Sequence, residues 1–151
     1  MTRFDEGSPA ATAQTRRLAL YGTDGAVQRC RDFSRQALVD WHWLPARDEE
    51  GQALVEDLLL MVSELVTNAC LHAPAGPTEL SLSWDGAHLW AGVADGSPVP
   101  PRLSPHQDPA RPGGHGLRVV DRLASRWGSA PEGPGKLVWL KLAAPPGLRT
   151  S

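Results

Sequence analysis

Two cysteines, Cys30 and Cys70, are all that 151 residues contain, and neither sits in a CxxC or Cys/His spacing. That excludes a disulfide framework and leaves two reduced thiols at apolar positions of predicted helices. Charge of either sign is also scarce in sum: the net charge is −2, which provides no basic field to hold nucleic acid or an anionic membrane. Lysine is nearly missing, with Lys136 and Lys141 set against thirteen arginines. This bias reads as base composition and decides nothing about function. The longest pure apolar run, Leu58 to Val62, is far short of a bilayer span, and the N-terminus lacks a charged-then-apolar leader, so a cytoplasmic protein is expected. His42, His88, His106 and His115 show no metal spacing, His72 is expected to pack or cap a helix end, and no internal repeat is present.

What is there suits one domain. A chain of this length buries on the order of two thirds of its unfolded surface. Residues 1–14 are small, polar and aperiodic and are read as a disordered lead, 15–143 as the folded domain, and 144–151 as a frayed tail. Arg17 to Tyr21 suits an edge strand. From Asp24, the apolar positions Val27, Cys30, Phe33, Ala37, Leu38 and Trp41 step by three and four as on an amphipathic helix. Pro45 resets the chain, Asp48 is placed to N-cap a second helix, and Glu49 and Glu50 suit its positive end. That helix runs to about Ala73, where Pro74, Gly76 and Pro77 end it. Alternation predicts strands at Glu79 to Trp84 and His88 to Asp95 around an Asp85-Gly86 turn, near Ser125 to Ser129, and at Lys136 to Leu142, with a Pro131-to-Gly135 turn before the last.

Three sites stand out along this order. On the second helix, Glu64 and Asn68 lie within about 40° on one face and about 6 Å apart along the axis, close enough to share a ligand. A solvated face that happens to carry both is the plain alternative. The strand ending in Asp95-Gly96 places a carboxylate beside a glycine. A proline-rich loop, Ser97 to Arg111, then closes on Gly113-Gly114-His115-Gly116-Leu117 at a helix start, where free backbone N–H groups and the helix dipole favour phosphate.

In this order and spacing the three sites resemble the N-box and two G-boxes of the ATP-binding fold shared by gyrase, histidine kinases, mismatch-repair ATPases and the heat-shock chaperone of that superfamily. The string SELVTNA at Ser63 to Ala69, His72-Ala73, and Asp95-Gly96-Ser97-Pro98 are most similar to the small actinobacterial anti-sigma factor serine/threonine kinases. The resemblance implies an α/β fold, a two-layer α/β sandwich of the Bergerat type with a mixed, mostly antiparallel sheet and helices on one face. It implies ATP and Mg²⁺ as cofactors, with Asn68 as metal ligand, Glu64 as general base toward a protein hydroxyl, and Asp95 as acceptor for the adenine amine. Gly96, Gly113, Gly114, His115, Gly116 and Leu117 complete the nucleotide site, under a mobile lid of residues 97–112. Implied partners are a sigma factor and an anti-anti-sigma antagonist, with a homodimer possible. A nucleotide-dependent partner-binding protein without kinase activity, and a fold that has lost its nucleotide, are the competing readings. The chain departs from the family pattern at Ser97 and Val99, where fuller motifs have glycine, at Leu137, where many relatives have threonine near adenine, and at Leu71, where many have a basic residue.

Overall fold

The computed structural model describes residues 13–101 and 116–148. Its order is β1 (Gln14–Ala19), α1 (Ala26–Asp40), α2 (Glu49–His72), β2 (Pro77–Trp84), β3 (His88–Asp95), α3 (Gly116–Leu123), β4 (Arg126–Glu132) and β5 (Gly135–Ala143), closed by a 3₁₀ turn at Pro146–Leu148. The strands form one five-stranded sheet in the order β1-β2-β3-β5-β4. Every ladder among them is antiparallel, so the parallel component of the expected mixed sheet is not found among the described residues.

The second layer is helical and covers one face. Leu80 and Leu82 of β2, Leu89, Ala91 and Val93 of β3, and Val138, Leu140 and Leu142 of β5 share one buried cluster with Leu58, Met61, Val62, Leu65 and Val66 of α2, Cys30 and Leu38 of α1, and Leu117 and Val120 of α3. Period two in the strands and period three-to-four in the helices point all of these inward. The opposite sheet face has its own smaller contacts. A Cβ on Gly92 would meet Leu137, one on Gly128 would meet the Trp139 ring, and Lys141 lies over the Trp90 ring at 5.3 Å. These explain why β3 is buried on both faces even though its sequence alternates.

Asp48 caps α2 as its sequence predicts, its side chain accepting a 2.8 Å bond from the Gly51 N–H. Two expectations shift. β4 continues through Pro131 to Glu132, because a proline on an edge strand has no ladder bond to lose on its outer side. The chain also does not fray at 144. Ala144 is buried and donates to the Ala87 carbonyl at 2.9 Å, and Arg47 Nη1 donates to the Gly147 carbonyl at 3.0 Å. Residues 1–12 of the expected lead and 149–151 of the tail lie outside the described residues. No helix among those described is long and apolar enough to cross a membrane.

Candidate functional site

α2 runs 24 residues, about 36 Å at 1.5 Å per residue, with its apolar faces in the core. Glu64, Asn68 and His72 then fall one turn apart on a polar stripe. Asn68 and His72 line a cavity of about 370 Å³, whose opposite wall is made by Ser97, the following Val99, Pro100 and Pro101, and Lys136. That volume is in the range of small-ligand sites, roughly 300–1,000 Å³. His72 therefore faces the cavity at the last turn of α2, where a packed or capping role was expected. Glu64, one turn back, is half-buried and is not among the described lining residues.

The strand-end carboxylate is tightly organised. β3 and β5 pair in a register that sets Asp95 opposite Lys136, and Lys136 Nζ donates to Asp95 Oδ1 at 3.0 Å. The same ammonium donates to the Ser97 carbonyl at 3.3 Å, while the Ser97 N–H donates to Asp95 Oδ1 at 2.8 Å. Ser97 Oγ in turn accepts from the Val99 N–H at 3.3 Å. The two side chains are 6% and 2% exposed. Two ions so far from water persist only because each is satisfied by the other and by backbone partners. Asp95 is itself not among the described lining residues; it lies behind the wall, bonded to Lys136 and Ser97, both of which line it.

Backbone packing fixes this junction. A Cβ on Gly135 would stand 1.9 Å from the Asp95 carbonyl oxygen, so only glycine lets β5 start against the end of β3. Gly96 is the reverse case: a Cβ there would meet nothing within 4 Å among the described residues and its φ is not left-handed. The described packing does not demand glycine at 96, and its lack of a side chain suits close approach of a ligand.

Of the remaining expected site residues, Gly113, Gly114 and His115, with most of the expected lid, lie outside the described residues. Gly116 opens α3. Leu117 is a core residue, so its backbone N–H, and not its side chain, is what it can offer a ligand. Leu137 packs toward Gly92 on the outer sheet face and is not the residue that confronts the site; Lys136 is. Sequence reasoning passed over Lys136, although the signal was present: it stands in phase with Val138, Leu140 and Leu142, the core-facing positions of its strand, where a lysine is anomalous.

The residues fit a metal-bound nucleotide. Among those described, no cluster of three or more His, Cys, Asp or Glu side chains could hold a metal ion. A divalent cation here would rest on the Asn68 amide oxygen plus ligand oxygens and water, the sparse protein coordination that Mg²⁺ accepts. Neither thiol is among the described residues lining the cavity. Burial pushes the Cys30 thiol up to about 11, Arg29 pulling it down more weakly, and burial also raises Cys70.

Residues 28–142 match the family described as the histidine kinase-like ATPase domain. No curated protein matches. Among solved structures, the chain is similar to the crystal structure of the RsbU and RsbW domains of Rv1364c from Mycobacterium tuberculosis, with a TM-score of 0.57 and 17% identity, covering 91% of this chain and 35% of that one. At that identity the likeness speaks for the fold, and the chain spans about a third of the length of that structure.

Proposed function

The chain belongs to the histidine kinase-like ATPase domain family, and from that premise we propose that it binds Mg-ATP in the cavity between α2 and the adjoining ends of β3 and β5. There it acts as an anti-sigma factor-like serine/threonine protein kinase that phosphorylates an anti-anti-sigma antagonist and regulates transcription by partner switching. The observation that carries this reading is a single cavity lined by Asn68 of α2 and by Lys136 and Ser97, both bonded to Asp95.

In this reading the Asn68 oxygen holds Mg²⁺, Asp95 accepts from the adenine amine, and Gly96 leaves room for the base. The start of α3 at Gly116 and Leu117 offers backbone N–H groups to phosphate, a role that the sequence extends to Gly113, Gly114 and His115. Bound ATP supplies the phosphoryl group. Glu64 accepts the proton of the attacking serine or threonine hydroxyl.

Purified protein incubated with labelled ATP, Mg²⁺ and candidate antagonists is expected to yield a phosphoprotein. Asn68→Ala should cost both nucleotide affinity and transfer. Glu64→Gln keeps shape but cannot take a proton, and should spare binding while lowering transfer about 10²-fold or more. The second reading, a nucleotide-dependent, sigma-sequestering binding protein without kinase activity, is favoured by one observation: Glu64 is not among the described residues lining the cavity. It wins if no antagonist is ever labelled while ATP still alters partner binding. Calorimetry showing equal nucleotide affinity for Asn68→Ala and the unaltered protein would remove Asn68 from the site.

A further inference from the structure

We propose that Lys136 is a second base-reading residue, donating from Nζ to the ring nitrogen N1 of adenine while Asp95 accepts from the neighbouring exocyclic amine. The inference rests on the proposed ATP site and concerns how that site selects its base.

An ammonium has three donors. Two are committed, to Asp95 Oδ1 at 3.0 Å and to the Ser97 carbonyl at 3.3 Å. The third has no partner among the described residues, and Lys136 lines the cavity wall. Its positive charge is already balanced by a carboxylate in contact with it, and both groups are nearly out of water. That makes it a poor anion clamp and a good directional donor, since a phosphate would have to compete with Asp95 for the same charge. Lys136 therefore stands at the wall with the Asp95 carboxylate in contact with it from behind, a donor backed by an acceptor that a base must reach at the wall's edge.

A heterocycle matching that pair carries an acceptor and a donor on adjacent positions of one edge, as adenine does at N1 and its amine. Guanine in the same pose would set its N1–H against the ammonium and its carbonyl oxygen against the carboxylate. Both contacts are then wrong, a donor facing a donor and an acceptor facing an acceptor. The position is held by packing: β5 is pinned at Gly135 against the Asp95 carbonyl, and the register places Lys136 across from Asp95.

The test is calorimetric titration of the full chain with Mg-ATP, Mg-GTP and the 1-deaza analogue of ATP, which keeps the amine but lacks the N1 acceptor. The unaltered protein should bind the 1-deaza analogue about 10- to 100-fold more weakly than ATP, the size expected for losing a hydrogen bond from a charged donor. Lys136→Met, which keeps the aliphatic stem, should bind ATP and the 1-deaza analogue alike and discriminate less against GTP. A purely structural role for Lys136 would weaken all ligands together and leave the ratio unchanged. Equal binding of ATP and its 1-deaza analogue by the unaltered protein overturns this inference alone, and does so without any variant that must fold. Tighter ATP binding by Lys136→Met also overturns it, by showing that the lysine competes with the base for Asp95. No ATP binding at all removes the proposed function and this inference with it.

Discussion

A methyl group at position 135 would have to occupy space held by the Asp95 carbonyl and, at 2.7 Å, by Gly96 Cα. These are backbone atoms, which cannot step aside as a side-chain tip could. Gly135→Ala should therefore open the β3–β5 junction, costing about 1–3 kcal/mol or more in stability and lowering nucleotide affinity in the same variant; denaturant unfolding and calorimetry read the two effects. Asp95→Asn acts at the same junction by another route, because the amide keeps the shape but leaves the buried ammonium of Lys136 without a counter-ion. Removing one partner of a buried pair costs about 3–5 kcal/mol, so the unfolding midpoint should fall as well as the ATP affinity. A variant that loses affinity at unchanged stability would mean that water reaches the pair. Cys30 gives a third residue-level expectation. Its folded pKa lies above its unfolded value, so the stability tied to the neutral thiol is complete below the unfolded pKa. It is lost as pH rises from that value through about 11. Cys30→Ala should flatten the pH dependence of the unfolding midpoint in that alkaline window, even though the small cavity it leaves lowers the midpoint overall.

At the level of elements, the sequence announces its helices and strands where local chemistry and packing agree. α2 is legible at both ends because Asp48 caps it and Pro74, Gly76 and Pro77 forbid its continuation, and β3 coincides with the predicted His88 to Asp95. β4 is misjudged because proline is weighed as a strand breaker, when an edge position makes it harmless. The end of the chain is misjudged because Ala144 and Leu148 show no period of their own; what orders this stretch are residues far back in the chain, Ala87 against Ala144 and Arg47 against Gly147. The candidate site divides along the same line. Glu64, Asn68 and Asp95 carry a pattern within one element and can be read there. Lys136 shows an anomaly of phase within its own strand, but its partner Asp95 comes only from the register of β5 on β3; Gly135 and His72 acquire meaning only from that register and from the cavity at the end of α2. The cap offers a direct check on the first kind of inference: Asp48→Ala leaves the Gly51 N–H without its acceptor and should cost about 1 kcal/mol, measured by urea unfolding, with nucleotide affinity unchanged because the cap stands at the far end of α2 from Asn68.

On the scale of the whole molecule, the site is assembled from the elements that also carry the core. α2 is the longest helix, β3 lies at the centre of the sheet with β5 beside it, and the cavity is bounded by the ends of all three. A ligand that bridges Asn68 on the helical layer and Lys136 on the sheet layer therefore ties the two layers together, and it can do so only in the folded state. Its binding energy must then appear as folding stability. At a ligand concentration about 100 times Kd, the gain is about 2.7 kcal/mol, which for a domain of this size raises Tm by roughly 5–10 °C. Thermal unfolding with Mg-ATP should show that rise, and Mg-GTP at the same concentration should give far less. Asn68→Ala should lose most of the shift, because the bridge then has one abutment. Asp48→Ala should begin from a lower Tm yet gain as much from Mg-ATP as the unaltered protein, because its defect lies outside the bridge. A rise of the same size in Asn68→Ala would place the nucleotide on the sheet layer alone and separate the cavity from the face of α2 that carries Glu64 and Asn68.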